Sequence, residues 1–89
     1  IEALQFFQTT PSHQLASLIS YRDQDGRTPI YAASREGHRQ VVEMLLTAGA
    51  DLNIANNDGF TPIYVASLNE HHQVVETLLT AGANPNLAT

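Results

Sequence analysis

An all-α solenoid of helix-turn-helix units joined by β-hairpin loops is the fold class that the sequence predicts, and three observations carry it. Shifted by 33 positions, the chain matches itself in register: Asp25-Gly26-x-Thr28-Pro29-Ile30-Tyr31 falls on Asp58-Gly59-x-Thr61-Pro62-Ile63-Tyr64. Further along, Leu45-Leu46-Thr47-Ala48-Gly49-Ala50 falls on Leu78-Leu79-Thr80-Ala81-Gly82-Ala83, and about 20 of 33 positions are identical with no gap. Each copy holds two short apolar stretches at helical spacing. The copies are joined by Asn56-Asn57-Asp58-Gly59, a tight-turn sequence whose residues tolerate positive φ.

Local chemistry justifies each element in turn. Thr28 and Thr61 are N-caps, and Pro29 and Pro62 follow at the first helical position, where no backbone N–H is missed. The first helix of a unit carries Ile30, Ala32 and Ala33 (Ile63, Val65 and Ala66 in the second copy), with small residues that let helices approach closely. Gly37 ends it in the first copy. The second copy has Glu70 there, so either a non-glycine residue takes a left-handed conformation at a cost of about 1 kcal/mol or the turn shifts to Asn69. The second helix carries Val41, Val42, Leu45 and Leu46 (Val74, Val75, Leu78 and Leu79) and closes at Gly49 (Gly82), the expected left-handed residue. Ahead of these copies, Ala3, Leu4, Phe6 and Phe7 and then Leu15, Leu18 and Ile19 form two apolar clusters split by Thr9-Thr10-Pro11-Ser12, which read as two further helices.

Composition narrows the function classes. The chain has 89 residues, 43 % of them hydrophobic and 15 % charged, too apolar for a disordered segment. No apolar run approaches the roughly 18 residues that cross a bilayer, and no signal peptide is apparent. Four arginines face nine acidic residues for a net charge of −5, with no lysine, so the clustered positive charge that phosphate backbones require is missing. Nucleic acid and membranes are therefore not expected as partners, and no residue constellation points to a cofactor or a small-molecule substrate. The absence of cysteine removes disulfides and thiolate metal sites and leads to the expectation of an intracellular, cytoplasmic location.

The paired motifs resemble the ankyrin repeat, whose pattern runs approximately D-x-x-G-x-T-P-L-H-x-A-A-x-x-G-H-x-x-V-V-x-x-L-L-x-x-G-A-D-x-N. Asp23 to Asn53 follows it closely and Asn56 to Asn86 with more changes. Ile30 and Ile63 stand in place of the usual Leu, and Tyr31 and Tyr64 in place of the His, whose hydrogen bonds a phenol cannot reproduce. The resemblance implies a degenerate first repeat over residues 1–22, full repeats over 23–55 and 56–89, and further repeats beyond. It implies a module that binds a protein partner through a concave face of hairpin tips and first helices. The alternative is a structural spacer or targeting segment of a larger enzyme or effector.

Positions that the family leaves variable are the candidates for that face: Gln24, Asp25, Arg27, Arg35, Glu36, Asn57, Asp58, Phe60, Leu68 and Asn69. Phe60, opposite Arg27 of the first copy, reads either as an interface anchor or as local packing. Leu68, opposite Arg35, reads either as a partner contact or as a groove filler. Tyr31 and Tyr64 fit structural packing better than an aromatic stripe. His72 and Glu76 share a helix face at i, i+4, but His71 repeats the structural Gly-His position, which leaves two ligands where a closed metal site wants four. Ser34 and Ser67 lack the setting of a nucleophile, and no catalytic, cofactor or metal site is expected. Asn53 and Asn86 occupy the position where, by the resemblance, some ankyrin repeats are hydroxylated, but an Asn bonding across the hairpin is the favoured reading.

Overall fold

The computed structural model describes residues 18–83. Residues 18–20 are helical; four helices follow, α1 (Pro29–Glu36), α2 (Arg39–Thr47), α3 (Pro62–Leu68) and α4 (His72–Thr80). Helix α1 packs on α2 within the first unit and α3 on α4 within the second, while α1 lies against α3 and α2 against α4 between units. Residues 1–17, which hold most of the degenerate first repeat, and Asn86 lie outside the described residues.

The helices begin where the caps predict. The Thr28 hydroxyl accepts from the Tyr31 amide at 3.2 Å and the Thr61 hydroxyl from the Tyr64 amide at 3.3 Å. Helix α1 ends at Gly37 (φ 78°), with the amides of Gly37 and His38 returning to the carbonyls of Ser34 and Ala33. The second unit makes the same two bonds from Glu70 and His71 to Ser67 and Ala66. Glu70 itself takes the left-handed conformation (φ 61°), and the turn does not move to Asn69, which sits at φ −91°.

The hairpin turns rest on residues upstream of the Asp-Gly pairs. Asp23 Oδ1 accepts from the amides of Asp25 and Arg27, both at 2.9 Å, and Asn56 Oδ1 accepts from those of Asp58 and Phe60 at the same distances. A side-chain oxygen thus replaces a missing backbone partner in each loop. In Asp23 the amide and guanidinium of Arg27 stabilise the charged form and hold the carboxyl below its ordinary range, outweighing the opposing effect of burial.

One buried cluster spans both units: Ile30, Ala33, Val42 and Leu52 from the first, and Ile63, Ala66, Val74, Leu78 and Ala83 from the second. Equivalent positions differ in burial in a consistent way. Tyr31, Ser34 and Val42 are buried, whereas Tyr64 and Val75 are half-buried and Ser67 exposed. These positions face the following unit. Ala32, Val41 and Met44 are exposed, whereas Val65 and Val74 are buried and Thr77 half-buried, so these face the preceding unit. The sequence reading put Ala32 and Val41 on interior faces; in the structure each is covered only in the copy that has a described unit on that side.

Ser34 is fully buried by the second unit, and its hydroxyl has no hydrogen-bond partner among the described residues. Ser34→Ala removes an uncompensated polar atom and is expected to stabilise by about 1 kcal/mol, raising Tm by about 4–8 °C for a chain of this size. A Tm below that of the parent would show that the hydroxyl is satisfied. Asp23 supports a second expectation. Its depressed carboxyl contributes stability that is complete above the unfolded value near 4 and is lost as pH falls through the lower folded value. Asp23→Asn keeps an acceptor of the Asn56 type but not the charge, so Tm at pH 7 should fall below that of the parent and the difference should close on acidification. Melts of both proteins from pH 7 to pH 2 that stay parallel would contradict it.

Candidate partner-binding face

Two ridges of side chains run from the hairpins along the first helices. In the second unit Phe60 stacks on Tyr64, with ring centroids 4.8 Å apart and planes inclined by 22°. Tyr64 and Leu68 follow one another at i, i+4 on α3, so the three side chains form one aromatic and apolar line. Leu68 at its end is 64 % exposed, and Phe60 and Tyr64 are half-buried. The equivalent line in the first unit is Arg27, Tyr31 and Arg35. Tyr31 is buried there, and desolvation raises its phenol pKa against the opposing pull of Arg35 and Arg27. The Asn56 amide donates to its hydroxyl at 3.2 Å, which ties the first ridge to the second hairpin.

The ten sequence candidates divide by what their side chains do. Arg27 is held by Asp23 at 2.8 Å and by Asp25 at 3.2 Å, and Arg35 pairs with Glu36 at 3.3 Å. Asp58 and Gln24 sit exposed on the hairpins. Asn57 and Asn69 bind across the boundary between units. The Asn57 side chain donates to the Gln24 carbonyl and its amide to the Asp25 carbonyl, both at 2.9 Å. The Asn69 side chain donates to the Arg35 carbonyl at 3.1 Å, and His71 Nε2 lies 3.0 Å from the same oxygen. A carbonyl only accepts, so His71 carries its proton on Nε2.

That clasp explains two glycines. A Cβ at Gly37 would fall 2.6 Å from His71 Nδ1, and one at Gly26 would fall 2.3 Å from Asn57 Oδ1. Both glycines are therefore close-approach points for the next unit as well as turn residues. Sequence reasoning missed the clasp because Asn57 and Asn69 differ from Gln24 and Glu36, their equivalents, and so looked free to vary. No sequence signal could have found it, because the acceptors are the main-chain carbonyls of Gln24 and Arg35. Tyr64 was missed as the link between Phe60 and Leu68, although the i, i+4, i+8 spacing was legible.

Other candidates gain no chemistry from the geometry. His72 and Glu76 are exposed on α4, and no group of three or more metal-ligating side chains forms among the described residues. No described helix is long and apolar enough to cross a membrane. A comparison with curated proteins finds no significant match. A scan against family models matches residues 3–89 to ankyrin repeats (3 copies). Such repeats are a non-catalytic fold whose general role is to bind other proteins. With the capped helix pairs and the hairpin turns both repeating in the register that this match covers, the chain belongs to the ankyrin repeat family.

Proposed function

We propose that this chain binds a protein partner through the face made by its hairpin tips and first helices, with Phe60, Tyr64 and Leu68 as the apolar anchor and without catalysis or a cofactor. The observation that carries the reading is the Phe60–Tyr64–Leu68 ridge, which ends in a leucine left largely exposed. A single exposed leucine is ordinary, but one continuous with a stacked aromatic pair on a variable surface has the make-up of an interface centre. Arg27 and Arg35 flank the ridge with their charges already balanced by Asp23, Asp25 and Glu36. Arg39 is paired with Glu43 at 2.9 Å, and Arg22 donates to the carbonyls of Gly26 and Ala55. All four arginines are therefore engaged within the chain, which supports a protein partner over a polyphosphate.

Phe60→Ala combined with Leu68→Ala is expected to weaken capture of the partner by about tenfold or more, about 1.4 kcal/mol, as loss of an interface anchor does. Far-UV circular dichroism should remain that of the parent, since neither side chain belongs to the buried cluster. Partner affinity that survives the double substitution unchanged would exclude this face.

A further inference from the structure

Equivalent positions in the two units define a second surface, distinct from the proposed partner face. Val42 is fully covered by the second unit, and its equivalent Val75 lines a shallow depression with His72, Gln73, Glu76 and Leu79. Leu46 is half-buried against the second unit, while its equivalent Leu79 is 45 % exposed. Ser34 is covered and Ser67 is open. The surface on the far side of α3 and α4 therefore continues the pattern by which the first unit receives the second.

One residue breaks the continuity. The second unit docks by placing the His71 ring over Gly37, where Nδ1, Cε1 and Cγ lie 2.6, 2.7 and 2.9 Å from the position a Cβ would occupy. Glu70 stands at the equivalent of Gly37, with the same left-handed backbone (φ 61° against 78°) and a Cβ. A ring stacked over Glu70 as His71 is over Gly37 would meet that Cβ well inside van der Waals contact. The ring cannot swing clear without giving up the counterpart of the bond that His71 makes to the Arg35 carbonyl.

We propose that the exposed face of α3 and α4 is a docking surface for one more helix-turn-helix repeat, and that Glu70 restricts it to a repeat with a small side chain instead of histidine at the position equivalent to His71. Val75 and Leu79 supply the apolar contact that any such unit needs, and Glu70 selects among units. The inference is independent of the partner face, because it concerns the far side of α3 and α4 and not the hairpin tips.

The test extends the chain after residue 88 with a copy of residues 56–88, either unchanged or with Ala replacing the copied histidine that faces Glu70. Both extensions are also made on Glu70→Gly, and both unextended chains are melted as references. On the parent, the alanine-bearing extension is expected to raise Tm by at least about 4 °C more than the histidine-bearing one. In Glu70→Gly the histidine-bearing extension should recover that deficit, beyond whatever Glu70→Gly adds to the unextended chain. Two results overturn the proposal: additive effects of the two substitutions, which would mean that Glu70 does not select, and failure of both extensions to raise Tm, which would mean that the face does not receive a repeat.

Discussion

Val42 is fully covered and Val75, its equivalent one unit later, is not, and the difference follows from where the apolar core of this chain lies. Within one unit, two helices of seven to nine residues cannot enclose a side chain on all sides. Burial is completed only when α1 meets α3 and α2 meets α4, so the cluster that includes Ile30, Val42, Ile63, Val74 and Leu78 belongs to the boundary between units. Isolated helices of this length are marginal in water, and packing across the boundary is what holds them. Caps, hairpins and surface ridges all depend on it.

The boundary is also polar, and its polar contacts fix the register. Apolar faces slide at little cost, whereas a hydrogen bond to a particular carbonyl does not. The Arg35 carbonyl receives both Asn69 and His71, the carbonyls of Gln24 and Asp25 receive Asn57, and Ala55 receives Arg22 at 2.7 Å. Together they anchor the helix end and the hairpin of each unit to its neighbour. Surface ion pairs such as Arg39 with Glu43 add little by comparison.

The fold was legible in the sequence because its determinants are local and repeated. Thr-Pro starts a helix and glycine ends one irrespective of what packs against it, and two copies in register fix the unit. The roles at the boundary were legible only in part. Val41 and Val42 are chemically identical, yet one is exposed and the other buried, because position relative to the next unit decides. Asn57 and Asn69 looked like variable surface residues since their acceptors are backbone carbonyls, which leave no mark on the sequence. Glu70 was recognisable as a strained turn residue, but its second consequence depends on where the His71 ring lies.

These contacts also bear on binding. The distance between the Arg27–Tyr31–Arg35 ridge and the Phe60–Tyr64–Leu68 ridge is set by the α1–α3 packing, by Asn56 on the Tyr31 hydroxyl and by the clasp on the Arg35 carbonyl. Tyr31 is thereby turned inward to hold the second hairpin, while Tyr64 supports Phe60 from below. The repeat-paired tyrosines therefore perform different tasks, one joining units and the other shaping a surface. Because the stack fixes this spacing before any partner arrives, ordering costs on binding are confined largely to exposed side chains such as Leu68. A substitution that loosens the clasp would then weaken binding without touching the face itself, since the cost of restoring the spacing would be added at the moment of association.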